Sequence, residues 1–198
     1  MPGHRQELAV AEVQAEEEAE AAEEAEAAEV ALAQEAQEVN MACTKPNDLY
    51  IPDGLLDTPS QERKRVIYEA IRWLGTPYAH AARTLGVGVD CGQLIRAVYT
   101  ACGVEDVEVA TYPPDWMLHR EESRFMALLT MRMMRADTPL PGDCALYRYG
   151  RCACHAAILT GSGYLIHAWR NAGHVEVREQ NMLADRLDSY WRPITWAE

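Results

Sequence analysis

The chain has 198 residues, 48% of them hydrophobic, and a formal net charge of -13, which is room for one ordinary domain and an additional segment. The charge is lopsided: residues 1–40 hold twelve Glu against one Arg. The remainder carries no basic surface able to track a phosphate backbone, which excludes nucleic acid as a primary partner.

No run of about 18 apolar residues occurs, and the N-terminus lacks a basic start followed by an apolar stretch and a small-residue cleavage site. The expectation is a chain that neither inserts into a membrane nor follows the ordinary export route. From Glu7 to Glu38 the sequence is almost all Ala and Glu, strong helix formers whose middle lacks an apolar stripe to dock on anything. Residues 1–40 therefore read as an acidic solvated tail, helical or disordered. An interaction arm, or an upstream extension ahead of a start at Met41, are the alternatives.

Residues 41–59, including PNDLYIPDGLLDTP from Pro46 to Pro59, read as a linker wrapped on the surface of a domain spanning 60–198. Ser60 then precedes Val66, Ile67, Ala70, Ile71 and Leu74 at helical spacing, and Gly75-Thr76-Pro77 ends the run, which predicts a helix over 60–74. Residues 79–89, with Gly86 and Gly88, read as a loop that delivers the chain to Asp90-Cys91. Cys91, Leu94, Ile95, Val98 and Cys102 mark one face of a second helix, capped by Asp90 and closed by Gly103. Tyr112-Pro113-Pro114-Asp115-Trp116 is an extended or turn segment, and a helix is predicted over 121–135. Short strands follow at 143–149, 154–160, 163–169 and 174–179, broken by Gly150, Gly161, Gly163 and Gly173. Helices followed by a meander imply an α+β fold, N-terminal helices packed on a small antiparallel sheet. The six cysteines are read as reduced, because a chain of this length builds a core without staples.

Thiol catalysis needs a thiolate near positive potential, a base within hydrogen-bond reach and a third group that fixes the base's tautomer. A lone cysteine on an apolar helix face is ordinarily a packing residue, and Cys102 is read as one. Cys91 differs in standing at a helix N-terminus, where unpaired N–H groups and the helix dipole favour negative charge and its own backbone N–H could donate to an oxyanion. Alternation in the strand Cys154-His155-Ala156-Ala157 places His155 on the face opposite Cys154. The turn at Gly161-Ser162-Gly163 brings His167 onto the neighbouring strand. Two polar rings on inward faces are costly unless they serve each other or a site. Two separate structural histidines remain the alternative on these facts.

The segments GTPY (Gly75–Tyr78), GVGVDCGQL (Gly86–Leu94), PGDCALYRYG (Pro141–Gly150) and HAAILTGSGYLIHA (His155–Ala168) resemble, in order and spacing, the NlpC/P60 family of cell-wall cysteine peptidases. The YPPDW segment followed by Leu118-His119-Arg120 resembles the branch encoded with phage and prophage tail genes. The resemblance covers roughly residues 60–196 and implies a papain-like fold, without a cofactor, that hydrolyses peptidoglycan stem peptides between D-glutamate and the diamino acid. It maps the nucleophile onto Cys91, the base onto His155 and the third polar residue onto His167, with Tyr78 beside the nucleophile to help position substrate or support the oxyanion. Gly92 stands where many relatives have Ser, and Ala156-Ala157-Ile158 where cellular members read Val-Gly-Ile, which alters the groove and removes no catalytic group. It further implies phage tail proteins as partners and a virion tail location.

Other readings compete for individual residues. Cys144, Cys152, Cys154, His155 and His174 crowd one region, but no C-x-x-C knuckle is present and a metal is not expected. Among Trp73, Trp116, Trp169, Trp191 and Trp196, core packing is expected for most, with Trp116 and Trp169 as groove residues. His80 and His119 read as surface or loop histidines, and Asp90 as a helix cap. A tail-tip structural protein without activity, or a thiol amidase or acyltransferase on a non-wall substrate, are the rival functions.

Overall fold

The computed structural model describes residues 51–107 and 131–196. Helix α1, Gln61–Arg72, begins where the Ser60 hydroxyl accepts the Arg63 N–H, and it buries Val66, Ile67, Ala70 and Ile71. It gives out at Trp73, just before Gly75, whose φ of 77° is open to glycine and strained for other residues. Helix α2, Cys91–Ala101, starts at Asp90, whose Oδ1 accepts the Gln93 N–H at 2.9 Å. Tyr99, rather than Cys102, completes its buried face; Cys102 is the half-buried C-cap.

Between the helices the expected loop contains a short hairpin, β1 (Arg83–Thr84) with β2 (Gly88–Val89), whose tip exposes Leu85 and Val87. Six further strands follow: β3 (Met133–Ala136), β4 (Cys144–Tyr149), β5 (Cys152–Leu159), β6 (Tyr164–Trp169), β7 (His174–Glu179) and β8 (Leu187–Pro193). They form one antiparallel sheet in the order β3-β8-β4-β5-β6-β7. Both helices pack on β5, and α2 also reaches β6. The arrangement is the α+β fold that the element order implied.

Two elements depart from the expectation. Most of the helix predicted over 121–135 lies outside the described residues, but 133–136 is strand, with Met133 opposite Pro193 and Ala136 opposite Tyr190. Met and Arg are good helix formers, but propensity is a weak constraint that pairing with β8 overrides. Strand β8 itself was not anticipated, although Ser189, Trp191 and Pro193 are buried with period two along it.

The sheet is built around β5, buried at every position. Ala145, Tyr147, Ala157, Leu159 and Leu165 form a cluster closed by Leu183 from the 3-10 segment Gln180–Arg186. At the β5–β6 turn, residues 51–59 are fastened to the sheet: the Gly161 N–H donates to the Leu55 carbonyl at 2.7 Å, and the Ser162 hydroxyl donates to Asp57 at 2.9 Å. Among the described residues no helix is long and apolar enough to cross a membrane.

Helical layer and sheet are joined by a buried charge cluster. Asp143, fully buried at the entrance to β4, accepts from Arg63 Nη1 of α1 at 2.8 Å, from Arg192 Nη2 of β8 at 2.9 Å and from the Leu140 N–H at 2.9 Å. Arg63 Nη1 also donates to the Pro141 carbonyl, and its guanidinium lies 5.4 Å from the centre of the Trp196 ring. Removing the carboxylate would strand two guanidinium groups in the interior. Asp143→Ala is therefore expected to lower unfolding stability by about 3–5 kcal/mol, read from denaturant unfolding. A loss under about 1 kcal/mol would show that the cluster is solvated in solution.

Candidate active site

Cys91 is the first residue of α2, and its N–H belongs to the first-turn donors that a helix leaves unused. Asp90 does more than cap this helix. While Oδ1 holds Gln93, Oδ2 accepts the Ala81 N–H at 2.7 Å and fixes Ala81 at a φ of 57°, a left-handed conformation costing an L residue about 1–2 kcal/mol. The loop that carries Tyr78 is thus tied to the start of α2. Its other side is docked on the β6–β7 turn, where the Tyr78 N–H donates to the Gly173 carbonyl at 2.7 Å.

The sheet contributes His155 through an irregularity. β4 and β5 pair Tyr147 with His155 but Arg148 with Ala153, so Cys154 has no residue opposite it and forms a β-bulge. The expectation that Cys154 and His155 point to opposite faces assumed unbroken alternation. The extra residue breaks it, and both residues line one cleft. The Cys91 thiol lies 3.9 Å from the Cys154 carbonyl, which brings the helix N-terminus against the bulge.

That cleft has a volume of about 260 Å³ and is lined by Tyr78, Cys91, Tyr149, Cys154, His155 and Trp169, with Ala168, Arg170 and Asn171 beside Trp169. His167 lies beneath it, fully buried. His155 Nε2 and His167 Nδ1 are 2.8 Å apart, and His167 Nε2 is 3.3 Å from Glu176 Oε1. Trp169 stacks on His167 at 5.1 Å between ring centres and meets His155 edge-on at 5.2 Å. Tyr149 closes the other side of His155 at 5.8 Å. With Nε2 engaged by His167, His155 keeps Nδ1 for a partner in the cleft.

Burial pushes the Cys91 thiol well above its ordinary value of 9.0, and the neighbouring Asp90 carboxylate adds to the effect; backbone hydrogen bonds from Ala156 and Gly92 oppose it. Burial, followed by the neighbouring His167, holds His155 well below 6.5. Burial lowers His167 as well, opposed by its hydrogen bond to Glu176. Both shifts favour the neutral forms, a thiol and an imidazole, which suit moving a proton as sulfur attacks rather than a standing ion pair.

Of the residues singled out in the sequence, Tyr78, Cys91, His155 and Trp169 meet in the cleft and His167 backs it. Trp116 and His119 lie outside the described residues. Trp73 and Trp191 are buried, while His80 is half-buried with Nδ1 3.8 Å from Asp90. Among the described residues no three His, Cys, Asp or Glu side chains converge as metal ligands. Sequence reading missed Glu176, Tyr149 and Arg170. Glu176 could have been found by carrying the hairpin register back from the β6–β7 turn, since Trp169 pairs with His174 and His167 with Glu176.

Comparison with known proteins decides the relationship. Residues 75–194 match the model of the NlpC/P60 family. The chain belongs to the NlpC/P60 family. This is a family of peptidoglycan hydrolases and cysteine peptidases, and the match spans Tyr78, Cys91, His155 and His167. Among solved structures, the NlpC/P60 domain of the peptidoglycan hydrolase SagA is 22% identical, covering 66% of this chain and 97% of that one, with a TM-score of 0.47. A lipoprotein-like NLP/P60 protein from Staphylococcus aureus is 17% identical at a TM-score of 0.50, covering 73% of this chain and 45% of that one. RipD from Mycobacterium tuberculosis, described as a non-catalytic NlpC/P60 protein adapted to peptidoglycan binding, is 17% identical at a TM-score of 0.46, covering 68% of this chain and 98% of that one. No curated protein matches the sequence.

The raised thiol value gives a direct check on the resting site. Alkylation of Cys91 by iodoacetamide, followed by mass spectrometry of its peptide, is expected to rise with pH only above about pH 9, as the thiol ionises. A midpoint below about pH 8 would show a thiolate already paired with imidazolium.

Proposed function

We propose that the chain is a peptidoglycan endopeptidase that cleaves stem peptides between D-glutamate and the diamino acid, with Cys91 as nucleophile, His155 as base and His167 as the group orienting that base. The observation that supports this most is the convergence of Cys91 and His155 on one cleft, with the far nitrogen of His155 taken by a buried His167.

In this reading His155 Nδ1 takes the thiol proton as Cys91 Sγ attacks the scissile carbonyl. The Cys91 backbone N–H donates to the developing oxyanion at the start of the helix. Collapse of the tetrahedral intermediate breaks the C–N bond, and the imidazolium returns its proton to the leaving amine. Water, deprotonated by His155, then hydrolyses the thioester, releasing a carboxylate and restoring the thiol. Tyr78 and Trp169 form walls for the substrate, and Trp116 is proposed as a further groove residue. The branch resemblance of the YPPDW segment supports a place in a phage tail, with tail proteins as partners and the cell wall met during entry. Immunogold labelling that misses the tail of virions would sink that part.

Membership of the family does not settle activity, because a fold can outlive its chemistry. Digestion of diaminopimelate-type peptidoglycan is expected to release fragments cut within the stem peptide, as read by mass spectrometry. Cys91→Ala is expected to reduce that release by at least ~10³-fold. A folded wild-type protein that binds the wall without cutting it would favour the structural, non-enzymatic reading.

The pH dependence follows from His155. It must be neutral to accept the thiol proton, and its folded value lies below 6.5, so the base stays available as pH falls through 6.5 and is lost only further down. The acid limb of kcat/KM is expected below pH 6.5; a limb above about 7 would contradict the buried, neutral imidazole.

A further inference from the structure

We infer that Glu176 is a positioning residue that sets the protonation pattern of both histidines, and so selects Nδ1 of His155 as the basic nitrogen; this rests on the hydrolase reading of the same cleft. A neutral imidazole carries one N–H and one lone pair. The contact between His155 Nε2 and His167 Nδ1, 2.8 Å, therefore has two possible directions. In one, His155 donates from Nε2, His167 accepts at Nδ1, and His155 Nδ1 presents a lone pair to the cleft. In the other, His167 donates from Nδ1, and His155 Nδ1 carries the hydrogen and is useless as a base.

The far nitrogen of His167 decides between them. Its Nε2 faces Glu176 Oε1 at 3.3 Å, and the His167 side chain is fully shielded from solvent. An ionised carboxylate only accepts, so Nε2 must donate; the reverse pattern would set a lone pair against a carboxylate oxygen in a dry site. Nδ1 of His167 is then free to accept, and the direction of the whole chain is fixed.

The fold holds this carboxylate in place by register. His167 and Glu176 are directly opposed in the β6–β7 ladder, with Leu165 opposite Arg178 and Trp169 opposite His174. Arg178 Nη2 forms an ion pair with Glu176 Oε1 at 2.7 Å, and its guanidinium covers the Trp169 ring at 5.5 Å. Among the described residues, the charged and titratable groups acting on His167 are His155 from β5 and Glu176 and Arg178 from β7, while His174 acts on Glu176. Glu176 is held below the usual carboxylate range, first by the His167 hydrogen bond and then by Arg178, so it stays an acceptor.

The test is nitrogen-15 NMR of the histidine rings in the full chain at about pH 8, where both rings are neutral. Wild type is expected to show Nε2–H for His155 and His167 alike. In Glu176→Ala both rings are expected to populate Nδ1–H, and kcat on stem peptide to fall at least about tenfold with KM little changed, since a wrong tautomer in a serine-protease triad costs ~10⁴. Glu176→Gln, whose amide accepts or donates, is expected to lie between the two and covers the case in which the alanine variant does not fold. Nδ1–H at His167 in wild type, or unchanged tautomers in a folded Glu176→Ala, would overturn the inference. Wild type with both rings as Nε2–H but no cleavage of stem peptide would count against the hydrolase reading while bearing out the tautomer assignment.

Discussion

Two imidazoles shut away from water can be kept only if every ring nitrogen has a partner suited to it, because an unmatched donor or acceptor in such a place costs about 1–3 kcal/mol. Three of the four ring nitrogens of His155 and His167 meet that condition inside the protein, through each other at 2.8 Å and through Glu176 at 3.3 Å, and the fourth, His155 Nδ1, is left to the cleft. Much of the local structure serves the geometry this requires. The tight β5–β6 turn brings the two rings to neighbouring strands, the β6–β7 register sets a carboxylate opposite His167, and Trp169 covers the pair. The β5–β6 ladder pairs Leu159 with Leu165 and Ile158 with Ile166, and no pairing is formed as far as the histidines. The strands are then free to part where the cleft opens.

The site draws its thiol from a helix and its imidazole from a sheet, so its precision depends on how firmly two layers are held. Asp143 supplies one fastening, binding arginines from α1 and β8 at once. Asp90 supplies another, using its two carboxylate oxygens to tie the first turn of α2 to the loop beside Tyr78. Each carboxylate immediately precedes a cysteine, Asp143 before Cys144 and Asp90 before Cys91. Their hydrogen bonds give each of them a structural task, and Asp90 in addition raises the thiol it adjoins.

Local patterns made the helices and four of the strands legible. Ser60 and Asp90 are helix caps that act within three residues, and alternation over 174–179 is a property of the strand itself. What escaped the sequence was set by partners distant along the chain. Strand β3 exists because β8 lies beside it. Glu176 matters because a hairpin register places it across from His167. The cleft residues Cys91, His155 and Tyr78 were legible as a set through motif spacing and Trp169 as a groove aromatic, whereas the direction in which His155 points depends on a ladder irregularity that no local pattern reveals.

That irregularity has a consequence for how the strand tolerates change. Cys154 is paired with no residue of β4, and its thiol donates to the Tyr149 carbonyl of that strand at 3.2 Å. The presence of the residue is another matter, because it shifts by one the parity with which the residues before and after it are assigned to the two faces of the sheet. Between Tyr149 and His155 the quantity under constraint is therefore a number of residues more than their kind. Substitution at Cys154 leaves the count intact, while loss of a single residue would exchange inside for outside along one arm of the hairpin and turn the imidazole away from the thiol.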